Sequence, residues 1–191
     1  MTTTTAESWL ARPLAERPSL DDVVLRYFAA FGPAAVADVG TWSRLTGLRE
    51  VVERLRPRLR TFRDERGREL FDLPDAPRPD PATPAPARFL PEYDNVLLSH
   101  ADRSRFVGPK ERARLGGLAG RAQGSVLHDG FGWGLWRLEH DRASGAATLV
   151  IGQLRRTTVR ARDSVAAEGR RLLRFLAREA ESHDVRFVPA P

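Results

Sequence analysis

The feature that most constrains the fold is a proline-rich segment near the middle of the chain. Residues 74–87, PDAPRPDPATPAPA, include six prolines among fourteen residues. Because proline lacks an N–H group and fixes φ, neither a helix nor a central strand can continue through this segment. Such a composition is typical of a stiff, extended linker. We therefore predict a mobile arm at 1–18, a domain at 19–75, a linker at 76–87 and a second domain at 88–191.

The first domain shows three helical patterns in succession. Ser19 is a suitable N-cap for a helix that the pair Gly32-Pro33 would end. A second helix is predicted over residues 34–43. The third has apolar residues at spacing i, i+3, i+4 and i+7, which are Leu48, Val51, Val52 and Leu55.

Two short β-prone runs follow the helices, at residues 59–63 and 68–73, with Gly67 in the turn between them. Three helices followed by a hairpin is the order of a winged helix-turn-helix domain. In that arrangement the third helix enters the major groove of DNA and the hairpin contacts the backbone. The predicted DNA contacts are Arg44, Arg49 and Arg54 from the helices and Arg63, Arg66 and Arg68 from the wing.

The charge distribution leaves the role of this first domain open. Residues 20–75 contain ten arginines and ten acidic residues, whereas DNA-binding domains usually carry a basic patch. A domain of this type could therefore bind only protein. The net charge of +6 comes from residues 88–191, so we expect contacts with a polyanion to depend on the second half.

The second domain is predicted to contain strands and one long helix. We expect strands at 95–99, 124–128, 131–139, 147–154 and 184–188, a connector at 109–120, and an amphipathic helix at 164–182. A basic loop at 155–162 would contact phosphates through Arg155, Arg156, Arg160 and Arg162. The fold class is therefore α+β, with a winged helix-turn-helix followed by a small antiparallel β-barrel-like domain with one long helix.

Two further groups of residues invite a structural interpretation. Glu92 and Asp94 could accept charge-assisted hydrogen bonds from Arg103 and Arg105, and we predict a structural ion pair among these four rather than catalysis. Trp133 and Trp136 are three residues apart on a predicted strand, so they should face opposite sides of the sheet. One should be buried, and the other could be a stacking platform or an ordinary packing residue.

Several kinds of chemistry find no support in the sequence. There are no cysteines, and the four histidines show no metal-ligand spacing, so no metal is expected. No glycine-rich phosphate motif precedes a helix, and no cofactor is expected. Ser99, His100 and Asp102 are too close in sequence to form a catalytic triad. With no membrane span and no signal-peptide pattern, a cytoplasmic protein is predicted.

Three stretches show a resemblance to a known family: RYFAAFGPAAVADVGTWSRL, FLPEYDNVLLSHADRSR and DGFGWGLWRLE. They resemble the AlkZ-like family of winged-helix DNA-binding proteins, which includes the azinomycin-resistance glycosylase and enzymes that excise crosslinked or alkylated bases. The middle stretch carries the most specific match. The resemblance covers about Ser19 to Phe187 and is to the C-terminal portion of the family, where winged helices precede a small β-barrel domain.

The resemblance also implies what is missing. The family's catalytic motif is Gln-x-Gln or Gln-x-Asp, and neither of the two glutamines here, Gln123 and Gln153, lies in such a motif. We therefore expect a protein that binds double-stranded DNA without catalytic activity by itself, with no catalytic residue assigned. Three alternatives stay open: a glycosylase with an unrecognised catalytic group, a protein-interaction module without affinity for nucleic acid, and a partner protein that supplies further winged-helix domains.

Overall fold

The computed structural model describes residues 3–108, 123–155 and 157–189. It is an α+β structure that divides into two compact units, Met1–Ala76 and Pro77–Pro191. Each unit has its own hydrophobic core. No helix in the described ranges has the length and apolar character needed to cross a membrane. The assignment of these units as independent domains remains a prediction.

The first unit, over its described residues, consists of four helices and a two-stranded antiparallel hairpin. The helices are α1 (Ala6–Leu10), α2 (Leu20–Phe31), α3 (Val36–Ser43) and α4 (Leu48–Leu55). A 3₁₀ turn (Arg56–Arg58) leads into the hairpin, whose strands are β1 (Arg60–Arg63) and β2 (Glu69–Asp72). As predicted, the Ser19 hydroxyl caps α2 by accepting a hydrogen bond from the Asp22 backbone N–H, 3.3 Å away.

The core of the first unit joins the helices to the hairpin. Tyr27 is fully buried, and its ring lies 5.7 Å from Phe28 and 5.5 Å from Trp42, measured between centroids. Phe71 on β2 packs against Phe28 at 6.2 Å. Its backbone also exchanges two hydrogen bonds with Ala34, of 3.0 and 2.8 Å. The hairpin is thus fixed to the helices by both packing and backbone hydrogen bonds.

The two segments predicted to lack regular structure contain more order than expected. The N-terminal arm includes the short helix α1, and Trp9 on it is 79% exposed. At the end of the proline-rich segment, Ala87 is buried in the core of the second unit. The Asp129 N–H also donates to the Ala85 carbonyl at 2.8 Å. The last residues of the predicted linker therefore pack onto the second unit.

The second unit, in the part of it that the structure describes, is a five-stranded sheet with two helices. The strands are β3 (Arg88–Leu90), β4 (Gly124–His128), β5 (Phe131–Asp141), β6 (Ala146–Gln153) and β7 (Ser182–Pro189). The helices are α5 (Asn95–Leu98) and α6 (Val159–Leu176). The strand order is β3-β4-β5-β6-β7. The first three pairings are antiparallel, and β6 and β7 are parallel.

The predicted barrel-like closure is wrong, whereas the predicted antiparallel pairing holds for all described pairs except that of β6 with β7. Among the described strands the sheet is open, with β3 and β7 at its edges. The pairing of β6 with β7 is parallel because α6 forms a crossover between these two strands, and neighbouring parallel strands require such a connection. Val165 and Leu173 of α6 pack with Leu149 and other residues of the sheet, so this face is covered by a helix.

Local capping explains the other differences in the second unit. Residues 95–99 were predicted as a strand, but α5 forms there because the Asp94 carboxylate accepts a hydrogen bond from the Val96 N–H at 2.8 Å. The long helix begins at Val159 and not near residue 164, because the Thr158 hydroxyl caps the Ala161 N–H at 3.2 Å. The predicted connector at 109–120 lies outside the described residues.

A β-bulge corrects the expectation for the two tryptophans. Val126 of β4 pairs with Gly134 and Leu127 with Gly132, so Trp133 is an extra residue in β5. The extra residue breaks the simple alternation of side chains. As a result, Trp133 and Trp136 both pack against the same hydrophobic cluster instead of opposite faces.

Candidate nucleic-acid interface

The exposed side of α4 is the first candidate surface. Its apolar residues are buried in the core of the first unit, and the remaining residues face outward. Arg49 is exposed near the start of the helix. Arg44 is also exposed and ends α3 in a left-handed conformation, with φ of 62°. Of these two predicted contacts, Arg49 lies in the first turn of α4 and Arg44 lies in the turn before it.

Arg54, the third predicted contact from the helices, has a partner within the protein. Its guanidinium donates to the Asp21 carboxylate at the start of α2. This hydrogen bond holds the pKa of Asp21 below its ordinary value. Arg54 therefore links α4 to α2, and its charge is partly compensated.

The turn of the hairpin is held by Asp64. Its carboxylate accepts hydrogen bonds from the Arg66 and Arg68 N–H groups at 2.9 and 2.8 Å and from Arg68 Nε at 2.6 Å. These bonds lower the pKa of Asp64, and the bond from the Arg68 side chain has the largest effect. Arg63 donates to the Gly67 carbonyl at 3.2 Å and lies opposite Glu69 in the hairpin, so its charge also helps to lower the pKa of that carboxylate. The hairpin thus presents Arg63 and Arg66 on an ordered turn.

Arg56 was not among the predicted site residues, and the structure gives it a role in packing. It binds two carboxylates, with 2.8 Å from Nε to Glu53 Oε2 and 3.0 Å from Nη1 to Glu69 Oε1. Its guanidinium also lies 5.0 Å from the centroid of the Phe71 ring. The side chain therefore connects α4 to β2.

A basic stretch is hidden when charge is counted over the whole domain. Residues 54–68 contain seven arginines and two acidic residues, whereas the rest of the unit is acidic. Arg58 and Arg60, which were not predicted as contacts, belong to this stretch and are exposed. Arg60 lies over the Phe62 ring, 5.1 Å from its centroid. A count over a fifteen-residue window would have revealed this excess.

The second candidate surface is the start of α6. Arg160 and Arg162 are exposed on its first turns, so they lie on a helix and not in the predicted loop. Arg155 is half-buried, and its carbonyl accepts a hydrogen bond from the Gln153 side chain. Arg156 lies outside the described residues. The guanidinium of Arg162 lies over the Phe187 ring, 4.5 Å from its centroid.

The four residues predicted to form an ion pair make separate contacts in the structure. Asp94 caps α5, and Glu92 is exposed. Arg103 donates to the His100 carbonyl at 3.3 Å, and Arg105 donates to the Gly130 carbonyl at 3.0 Å. Among the described residues these four do not pair with one another. Their contacts instead hold loops in place.

The comparison with protein families identifies the chain. The model of the family described as DNA glycosylase AlkZ-like matches residues 1–175. The chain belongs to the AlkZ-like DNA glycosylase family. The suspected resemblance is thus confirmed. A search of curated proteins gives no match.

A solved structure shows a similar fold. The AlkZ-like protein described here matches Streptomyces sahachiroi DNA glycosylase AlkZ with a TM-score of 0.64 and 23% sequence identity. The match covers 91% of this chain and 48% of that chain. The present chain therefore spans about half the length of the AlkZ structure.

The described residues of this AlkZ-like protein contain no group of three or more metal-binding side chains. The Ser99 hydroxyl lies 2.9 Å from His100 Nδ1, a contact between sequence neighbours that were not expected to form a triad. Ser99 is fully buried, so a substrate cannot reach it. The described residues offer charged surfaces for binding.

Proposed function

We propose that this AlkZ-like protein binds duplex DNA and does not excise bases by itself. The α2–α4 helices and the hairpin would act as a winged helix-turn-helix, with α4 in the major groove and the hairpin on the backbone. The observation that carries the proposal is the excess of seven arginines over two acidic residues in residues 54–68. The predicted contacts from the helices and the wing lie in or beside this stretch.

The chemistry of the hairpin suits phosphate binding. Arg63 bonds to a carbonyl and Arg60 stacks on a ring, so neither contact neutralises the guanidinium. Both can therefore still attract a phosphate. Contacts to phosphate fix the position of a protein on DNA without reading its sequence. Family membership supports DNA as the partner.

The test is fluorescence anisotropy with a labelled duplex over a salt series. Each phosphate contact contributes about 0.9 to the slope of log K against log salt. The variant Arg60→Ala/Arg63→Ala/Arg66→Ala should therefore lower the slope by up to about 2.7. Arg12→Ala/Arg17→Ala, in the N-terminal arm, is a control that also removes positive charge and should leave the slope unchanged. No binding by the unaltered protein at low salt would refute the proposal.

A second assay addresses catalysis. The pure protein is incubated with plain and alkylated duplexes, and released bases are measured by mass spectrometry. We expect no release from either duplex. Release of the modified base would instead support a glycosylase with a catalytic group that the family motif does not include.

Ion pairs between arginines and carboxylates of the first unit favour a second candidate function, which is a protein-interaction module. Arg54, Arg56 and Arg68 all bind carboxylates of the same unit, which reduces the charge available to DNA. A partner supplying further winged-helix domains would fit a chain that matches 48% of the AlkZ structure. Co-purification of such a chain, together with absence of DNA binding by the isolated protein, would favour this candidate over the first.

A further inference from the structure

The outward face of α6 carries several arginines, most of which form no ion pair with another described residue of the second unit. Residues 155–178 contain eight arginines and two acidic residues. Four of these arginines are exposed on α6, on the side opposite its buried residues. We call this set the α6 basic face, and it consists of Arg160, Arg170, Arg171 and Arg174.

Helical geometry places these four side chains together. An α-helix turns by about 100° per residue, so the four positions fall within an arc of about 100°. The buried residues, such as Val165 and Leu173, lie on the other side against the sheet. From Arg160 to Arg174 the helix rises by about 21 Å. Because each strand of a duplex carries one phosphate per 3.4 Å of duplex axis, this length corresponds to about six base pairs along the axis.

The arginines of this face are not explained by ion pairing. Arg171 binds Glu168 at 3.0 Å. No ion pair to another residue of the described ranges involves Arg160, Arg170 or Arg174. The first turn of α6 contains no acidic residue, although acids are favoured there by the helix dipole, and it contains Arg160 instead. The sequence of α6 is thus arranged for a negatively charged partner and not for the stability of the helix.

Arg162 is excluded from the face by its position and contact. It points away from the other four, and its guanidinium stacks over Phe187 on β7. The structure therefore separates two arginines that the sequence grouped together. Arg160 belongs to the basic face, and Arg162 belongs to the packing of the second unit.

The distribution of apolar residues on α6 indicates which kind of partner its outward face would bind. A helix that lies on a membrane needs apolar side chains on its accessible face. Val165, Leu172 and Leu173 of α6 are instead turned to its own sheet. The large apolar side chains of α6 that are exposed lie at its two ends, and they are Val159, Phe175 and Leu176. The face instead carries guanidinium groups, three of them within five residues, and its one acidic residue is Asp163. Guanidinium groups at this density suit phosphates.

We propose that the α6 basic face binds the phosphate backbone of duplex DNA, as a contact surface separate from the hairpin. This inference rests on the proposed function, since it assumes that the protein binds duplex DNA. It assigns phosphate contacts to Arg170 and Arg174, which are not among the contacts predicted from the sequence. It also predicts that the second unit adds affinity without sequence preference.

The test is the salt dependence of duplex binding by the triple variant Arg160→Ala/Arg170→Ala/Arg174→Ala. With about 0.9 lost per contact, the slope should fall by about 2.7, so the affinity ratio between 50 and 200 mM salt should shrink roughly 40-fold. The control Arg88→Ala/Arg137→Ala/Arg142→Ala removes three exposed arginines of the same unit outside the face, and its slope should match the unaltered protein. Circular dichroism confirms that each variant is folded.

A variant of opposite sign strengthens the test. Asp163→Asn/Glu168→Gln removes the acidic residues of α6, and it should increase affinity at low salt and steepen the slope. A slope that stays the same in the triple variant, while the unaltered protein binds, overturns this inference alone. The inference is also overturned if the triple variant loses binding to anionic phospholipid vesicles while its binding to DNA stays unchanged. Absence of binding by the unaltered protein refutes the proposed function itself.

Discussion

Replacing Phe71 by alanine would test whether the two units are independent domains. Phe71 is 2% exposed, packs on Phe28 and connects the hairpin to Ala34. Truncation of a buried phenylalanine costs about 3–5 kcal/mol. At roughly 0.05–0.15 kcal/mol per residue, the unit Met1–Ala76 has a total stability of about 4–11 kcal/mol. Phe71→Ala should therefore remove a large part of the stability of the first unit.

Hydrogen exchange measured by mass spectrometry over a urea series follows peptides of the two units separately. For an m-value of about 1.5 kcal/mol/M, the midpoint of the first unit should fall by about 2–3 M. The second unit should unfold at an unchanged urea concentration. Phe71→Leu, which keeps most of the volume, should cost only about 1–2 kcal/mol. The reciprocal variant Leu173→Ala should destabilise the second unit alone, by about 2–5 kcal/mol.

The result that refutes this reasoning is a shared transition. If Phe71→Ala lowers the midpoint of peptides from both units equally, the chain unfolds as one cooperative body. The predicted linker at 76–87 would then not separate two domains. A loss well below about 3 kcal/mol would show instead that the site collapses around the missing ring.

The remaining predictions concern charge and backbone. Arg56 lowers the pKa of Glu53 and Glu69 from the ordinary 4.5, so the stability that these pairs provide is complete above about pH 4.5 and is lost as pH falls through the lowered values. The urea midpoint of the first unit should decline in acid, and less so in Glu53→Gln/Glu69→Gln. Gly40→Ala should stabilise α3 by about 0.5–1 kcal/mol in urea denaturation, since the new methyl group has ordinary contacts from 3.7 Å outward. Gly169→Ala should give no such gain, because its methyl would lie 2.9 Å from a leucine of β6.

Local signals in the sequence predicted the helices of the first unit well. The cap at Ser19 and the four-residue stripe of α4 act over a few residues, and both elements form as expected. The long helix of the second unit was predicted too late in the chain because its cap, Thr158, was counted as part of a basic loop. An N-cap threonine followed by arginines is a weak signal, since acids normally mark the first turn.

Features that depend on distant residues could not be read from the sequence. The parallel pairing of β6 and β7 joins strands separated by a whole helix, and sequence pattern does not specify that partner. The bulge at Trp133 depends on its register with β4. Arg54 looked like a DNA contact, yet its partner Asp21 lies 33 residues away. The candidate site was therefore predicted by residue type, while the pairing that decides which arginines keep their charge required the structure.

The parallel strand at the end of the chain has a practical consequence for anyone who trims this protein. The family match ends at residue 175, whereas β7 occupies Ser182–Pro189. A fragment cut at the family boundary would lose β7 and leave β6, now at the edge of the sheet, with unpaired N–H and C=O groups that invite aggregation. It would also take away Phe187, whose ring lies 5.9 Å from Trp133. During synthesis on the ribosome, likewise, the sheet stays incomplete until β7 has emerged.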